Sequence, residues 1–482
     1  MKKQPLPKVE ERKVHLMPAA VNSMPLNEFL GVKYGAPKKN KPFTAERRMG
    51  LYTLYLPDRT LYVGRGNSNV LGVTDVELDT YFNMSPLSNP ETLKSMGIDF
   101  MMVTPERLAG SDYVRRNGVV KIVSDSGGFQ LSQGVTDFIE PDHLAKFYKA
   151  KVDFGIGLDI PVPRHLQSSE WFLRMARVMI LNNKHITKGL QGSPAEIYDV
   201  SHGLTLPNRK RFTKYVLDNQ VSQNLALGGI GQSSYGSKQS TRVMEVLNTA
   251  YTLDLTKGKY KRYHVLGTTN TFMMTVYHLL TEMGVAPFIT CDSSSHAQGG
   301  LAFAAKGMIY SPVNNMIPTF TVDAAPISYG MPCNCQVCSI SGYPHIHRMS
   351  QTANSLHTMY LYEKLMTIAG EYARMLLAGK SVMADLLFFV SPNKSMHSTY
   401  RALYKFILDL DKGFDKAWAI HKDTLGYLLR KDTGPTGLFG QSEALTPKMV
   451  KVTTNITEAI VRYEKFHGIS AASTVSKKKV TK

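Results

Sequence analysis

The chain has 482 residues, with 57 Lys or Arg against 38 Asp or Glu and a formal charge of +19. That length exceeds one minimal domain, and a hydrophobic content of 43% is ordinary for a globular protein, which excludes a wholly disordered chain. The positive charge calls for an anionic partner, nucleic acid first; no long basic amphipathic helix stands out, so a membrane surface is not expected in that role.

Residues 1–45 are rich in Lys and Pro and end in Lys38-Lys39-Asn40-Lys41-Pro42, so a basic, loosely ordered lead is expected there. No apolar stretch follows Met1-Lys2-Lys3-Gln4-Pro5, so no secretory signal is expected, and no later run approaches a membrane span. Two runs, 51–56 and 61–63, flank Pro57-Asp58-Arg59-Thr60 and read as a hairpin. From residue 100 a rhythm sets in. Strand-like runs at 100–103, 119–123, 152–158, 196–200, 224–227, 263–266 and 287–291 are interleaved with helical patterns at 142–151, 169–188, 208–219, 241–253 and 271–283. This alternation predicts a parallel α/β sheet, with the hairpin or Met308-Ile309-Tyr310 able to supply an eighth strand. Polar residues and glycines gather at the strand C-terminal ends. A (β/α)8 barrel keeps its active site there, and an open doubly wound sheet its ligand. No G-x-G-x-x-G opens a helix after a strand, which disfavours a dinucleotide fold. Helical patterns return at 355–378 and 398–411, and the remainder reads as mostly helical.

The run 119–123 leads into Ser124-Asp125-Ser126-Gly127-Gly128-Phe129-Gln130. A carboxylate, bare backbone and an aromatic at one strand end suit a pocket for a flat, polar-edged molecule such as a nucleobase; a tight turn with a capping Asp is the plainer alternative. Asp159 and Asp292 also stand at strand ends. Two such acids can supply a nucleophile and a general acid/base, and a third can bind the donors of a base, although each alone is as readily a helix cap. His202, in Ser201-His202-Gly203, can hydrogen-bond a substrate or tune a carboxylate, or simply pack; Gly228-Gly229 can offer backbone donors or only a tight turn. Arg209, Lys210, Arg211 and Lys214 share one helix face that contacts phosphates or is merely solvated.

Three of the four cysteines lie in Cys333-Asn334-Cys335-Gln336-Val337-Cys338. Thiolates at C-x-C-x2-C spacing favour tetrahedral Zn2+, with the fourth ligand among His345, His347 and His357; His357 opens a helical stretch that would hold its ring firmly. A closed Cys3His set reads as structural, an iron–sulfur cluster is disfavoured because Cys291 sits on a strand, and the clustering points to a reducing, cytoplasmic setting.

Taken together, these residues resemble the tRNA-guanine transglycosylase superfamily. The matches are Asp125-Ser126-Gly127-Gly128-Phe129-Gln130, Leu158-Asp159-Ile160-Pro161, Leu227-Gly228-Gly229-Ile230-Gly231, Cys291-Asp292-Ser293 and the cysteine motif with His357, in the family's order over roughly residues 95–380. The resemblance implies a (β/α)8 TIM barrel with a zinc-binding insertion, and exchange of guanine for a 7-deazaguanine without cutting the backbone. It implies Asp292 as nucleophile on C1′, Asp125 as general acid/base, and Asp159 on the guanine Watson–Crick edge. Phe129 and Leu266 would sandwich the ring, Gly229 would donate from its backbone beside Gly228, and Cys333, Cys335, Cys338 and His357 would hold the zinc.

Where the tRNA enzymes typically read Val-Gln-Gly-Gly, this chain has Val200-Ser201-His202-Gly203, so Ser201 or His202 is expected to replace the base-contacting Gln. No archaeal-type C-terminal RNA-binding domain is recognisable. These departures resemble the DNA-guanine transglycosylase branch of phages and bacteria, which installs 7-deazaguanines of the preQ0 type; a phage enzyme would work in the host cytoplasm. DNA is therefore favoured over tRNA, with a non-catalytic nucleic-acid-binding partner subunit as the reading from another class. A homodimer is left open as the assembly. The expected layout is the lead at 1–45, the catalytic barrel with its hairpin at 46–330, and the zinc-binding subdomain with a closing helix at 331–380. A helical C-terminal region at 381–470 and a disordered basic tail at 471–482 follow.

Overall fold

A computed structural model describes residues 13–18, 52–56, 59–63, 94, 97–103, 118–136, 138–161, 163, 166, 170–231, 237–268, 270–293, 351–391, 394–433 and 447–469. In chain order the strands are β1 (Val14–Pro18), β2 (Tyr52–Leu56), β3 (Arg59–Val63), β4 (Phe100–Val103), β5 (Lys121–Ser124), β6 (Phe154–Ile156), β7 (Glu196–Ser201), β8 (Asn224–Leu227), β9 (Arg262–Val265) and β10 (Ile289–Ser293). The helices are α1 (Gly128–Gln133), α2 (Pro141–Lys151), α3 (Glu170–Gly189), α4 (Leu206–Asp218), α5 (Lys238–Leu255) and α6 (Thr271–Glu282). They continue with α7 (Gln351–Leu377), α8 (Met383–Val390), α9 (His397–Leu408), α10 (Phe414–Thr433) and α11 (Pro447–Phe466). The protein is α/β, with parallel strands alternating with helices, as the pattern of apolar runs predicts. Among the described residues no helix is long and apolar enough to cross a membrane.

The chain divides into two compact units. The first takes Met1–Val123 and Gly267–His421. In it β1 runs parallel to β10, from Val14 opposite Ile289 to Pro18 opposite Ser293, and β4 lies beside β1. The expectation of a loosely ordered lead is therefore corrected for Val14–Pro18. Five residues of that lead form a strand, whose Val14 is fully buried, and Lys13 O accepts the Ile289 N–H at 2.8 Å. Nor does the hairpin extend the parallel strands. β2 and β3 pair antiparallel in a sheet of their own, while Met308–Tyr310 lies outside the described residues. Helix α6 is apolar nearly all round and buried from Phe272 to Thr281. It packs on α7, where His278 Nε2 bonds Met366 O at 3.0 Å, and Phe272 stacks on Tyr400 of α9 with ring centroids 4.3 Å apart.

The second unit takes Ser124–Leu266 and Lys422–Lys482. Here β6, β7, β8 and β9 are parallel, each paired to the next in sequence. Their residues are buried almost throughout, which is why they read as continuous apolar runs and not as alternation. Helix α11 packs on α1 and α3. Asn455 Nδ2 donates to Ser132 O at 3.1 Å, Tyr463 Oη donates to Ile139 O at 2.9 Å, and Arg174 forms a two-point ion pair with Glu464.

A carboxylate lies in the interior of this unit. Asp199 of β7 is fully buried, and its Oδ2 accepts the N–H groups of Val221 and Ser222, each at 3.0 Å, while Oδ1 accepts from Asn183 Nδ2 at 3.2 Å. Burial still outweighs these donors and pushes the carboxyl from 3.8 up to about 6. The folded value lies above the unfolded one, so the native state holds the extra proton between them. Stability is greatest below the unfolded value and falls as pH rises through about 6. Asp199→Asn should remove that slope. Denaturant unfolding from pH 4 to 7 should show wild type losing ~2 kcal/mol against the variant, whereas parallel pH curves would show that Asp199 is not held protonated.

Candidate active site

The site residues of the second unit are joined by a chain of hydrogen bonds. After β5 the backbone turns sharply, with Gly127 at φ 81°, and α1 begins at Gly128. The turn is held by its own polar groups. Ser124 Oγ donates to Asp125 O at 2.8 Å, and Asp125 Oδ1 accepts the Ser126 N–H at 2.7 Å. Ser126 Oγ then accepts the backbone N–H of Asp159 at 2.9 Å, across 33 positions of sequence. Gly128 makes this approach feasible, since a Cβ there would lie 1.6 Å from Asp159 O.

The Asp159 carboxylate is gripped from the other side by His202, whose Nε2 forms a close hydrogen bond with Oδ1. His202 is 1% exposed whereas the Asp159 side chain keeps 14% of its surface open, so Asp159 is the outer member of the pair and the imidazole the inner one. Gly228 supplies the space for this pair. A Cβ there would come within 2.4 Å of His202 Cε1 and 2.9 Å of Asp159 Oδ1. Gly229 adopts φ 75° in the same turn, and Phe212 of α4 packs edge-on to the imidazole at 5.7 Å.

Of the two residues expected to replace the family's Gln, His202 reaches Asp159. Ser201 is fully buried and shares a hydrogen bond with Thr213 Oγ1 at 2.6 Å, which turns its hydroxyl toward α4. Phe129 is 50% exposed on the first turn of α1. Leu266 is half-buried just past β9, its N–H donating to Leu227 O at 3.2 Å. Asp125, Asp159, His202 and Gly228 are thus brought together with Ser126, and Gly229 lies beside His202.

Asp292 belongs to the first unit. It lies inside β10, opposite Met17, and not beyond the strand, and its Oδ1 accepts the Gly267 N–H at 2.5 Å. The neighbouring Cys291 is fully buried, and burial, then the charges of Asp292 and Glu363, push its thiol well above the usual range. Such burial disfavours the thiolate and leaves the group unreactive. Cys333, Cys335 and Cys338 lie outside the described residues; His357 stands on α7, with its side chain outside them. Among the described residues no group of three or more His, Cys, Asp or Glu is gathered that could hold a metal.

Two residues named in the sequence have structural parts in the site that the sequence did not assign to them. Ser126 lies within the recognised motif, but nothing in the spacing says that its hydroxyl, and not the neighbouring carboxylate, spans to Asp159. Arg209, read as part of a basic helix face, is instead fully buried. A signal existed: Arg209, Phe212, Thr213 and Val216 form one buried stripe of α4 at helical spacing.

No protein-family model matches this chain, and no curated protein matches it.

The glycines give a direct check on the geometry. Gly228→Ala should cost ~1–3 kcal/mol in denaturant unfolding, as an overpacked site does, and should separate His202 from Asp159. Gly128→Ala meets main chain in place of a side chain and should cost more. Wild-type stability in both would show that the close approaches are absent in solution.

Proposed function

We propose that the protein is a pentosyltransferase, exchanging guanine in DNA for a 7-deazaguanine base of the preQ0 type through a covalent Asp–sugar intermediate. The observation that carries this reading is the joining of Asp125 to Asp159 through Ser126, with Phe129 half exposed on the same motif. A base with adjacent ring N–H and 2-amino donors needs an acceptor-only edge, which an ionised carboxylate supplies, and a flat apolar face on which to stack.

The roles follow from the resemblance and suit this chemistry. The Asp292 carboxylate attacks C1′, and the electrons of the glycosidic bond pass to the departing guanine as Asp125 delivers a proton to it. The incoming base returns a proton to Asp125 and attacks C1′ from the face guanine left, expelling Asp292. Two displacements retain configuration and leave the phosphodiester backbone uncut. The base must leave its stack to reach Asp159, and part of the +19 charge would hold the polymer while it does. The reading carries with it a (β/α)8 barrel, a structural Zn2+ held by Cys333, Cys335, Cys338 and His357, and work in the cytoplasm.

Preference for DNA rests on Val200-Ser201-His202-Gly203, with His202 and not an amide beside Asp159. Base exchange with labelled guanine and 7-cyano-7-deazaguanine, on duplex DNA and bulk tRNA in parallel, tests it. Label is expected in DNA. Label in tRNA alone would move the substrate to tRNA, and label in neither would leave a nucleic-acid-binding subunit as the better account. Asp292→Ala should abolish the covalent adduct trapped on denaturing gels; an adduct that persists removes Asp292 as nucleophile. Cys335→Ser should lose Zn2+ by elemental analysis and lower the thermal midpoint, and full zinc occupancy would refute the ligand set.

A further inference from the structure

Arg209 lies in the first turns of α4 among Lys210 and Arg211, yet it is 0% exposed while both neighbours face solvent. Its guanidinium is aimed at backbone. Nη1 donates to Ser201 O at 3.0 Å and Nη2 to Gly228 O at 2.9 Å. Ser201 O also accepts the Gly228 N–H at 2.9 Å, so the guanidinium closes the junction between the ends of β7 and β8. The loop is pressed onto the same helix at Gly203, whose φ is 134° and whose Cβ, if present, would lie 2.4 Å from Arg209 Cα.

The two carbonyls belong to the peptide groups that carry the nitrogens of His202 and Gly229. A peptide group is planar and rigid, so fixing its oxygen fixes the direction in which the next residue departs. His202 departs from one of these groups, and its ring lies against the Gly228-Gly229 turn that carries the other, 2.4 Å from a Cβ at Gly228 and 3.3 Å from one at Gly229. A guanidinium taken out of water carries a large desolvation cost, and an apolar side chain of similar volume often fills such a space as well or better. What the guanidinium adds is a planar fork of donors at a set spacing, which a lysine lacks.

We infer that Arg209 is a positioning residue for the recognition carboxylate. It sets the separation of the two strand-end loops, the loops set the His202 ring, and His202 sets the orientation of Asp159 toward the ligand edge. The identity of that ligand, a purine edge with ring N–H and 2-amino donors, rests on the base-exchange reading.

The test uses Arg209→Lys, which keeps charge without the fork, and Arg209→Met, which keeps bulk alone. The first readout needs no ligand: the imidazole 15N shifts of His202 in histidine-labelled full-length protein. These should move in both variants while thermal unfolding stays cooperative. If Arg209→Met does not fold, Arg209→Lys carries the measurement. Unmoved His202 shifts overturn the inference. The second readout compares kcat/KM for guanine with that for hypoxanthine, which lacks the 2-amino donor. The wild-type preference should fall about tenfold, mostly through KM for guanine, with Arg209→Lys retaining more of it than Arg209→Met. Equal losses for both bases would make Arg209 an ordinary structural residue and overturn the inference. Wild type that exchanges neither base sinks the base-exchange reading alone, since the His202 shifts decide the role of Arg209 without it.

Discussion

Asp159 is held at both ends, its backbone N–H by Ser126 Oγ and its carboxylate by His202 Nε2. The organisation of the second unit around the site can be traced from that double grip. A carboxylate partly open to water would otherwise sample several rotamers, and a ligand would have to select one at a cost in affinity. Here both anchors are themselves anchored. Ser126 is fixed in a turn closed by Asp125, and His202 lies between the Gly228 turn and the edge of Phe212. Side-chain freedom is removed before any ligand arrives, which is what preorganisation of a recognition site requires.

Two buried charges in the interior are likewise held by main chain. Asp199 and Arg209 are opposite charges, each buried and each turned toward backbone. Asp199 collects two amide N–H groups from the segment before β8, while Arg209 caps two carbonyls at strand ends. Parallel strands buried on both faces leave polar main chain at their ends with little access to water, and these two side chains supply the missing partners. They stabilise loop geometry more than they add net energy, because desolvation offsets much of each interaction.

The regular part of the fold was legible because it is written in period and propensity. β8 falls where the apolar run 224–227 lies, and α6 begins at Thr271 as its pattern predicts. Val14–Pro18 was missed because a short strand inside a Lys- and Pro-rich segment carries no run long enough to outweigh its flanks; its partner β10 is remote in sequence, and only that pairing makes it a strand. At the site, residue types were legible but directions were not. Ser201 and His202 are neighbours with equal claims by chemistry, and alternation along a strand end sends one hydroxyl to Thr213 and one ring to Asp159. Arg209 was misread because three basic residues in a row look solvated, although on a helix of 3.6 residues per turn neighbours point in different directions and need not share one surface.

Helix α11 was described above as packing on α1 and α3. The acidic residues assigned roles here have all been passed by residue 292, but the contacts from Asn455 to Ser132 and from Tyr463 to Ile139 are supplied by the last helix of the described chain. A ribosome therefore finishes the chemistry-bearing residues long before it releases the brace for the helix that carries Phe129. A chain cut short before residue 447 keeps Asp125, Asp159 and Asp292 but lacks this helix against α1, so a distant C-terminal segment bears on the setting of the motif itself.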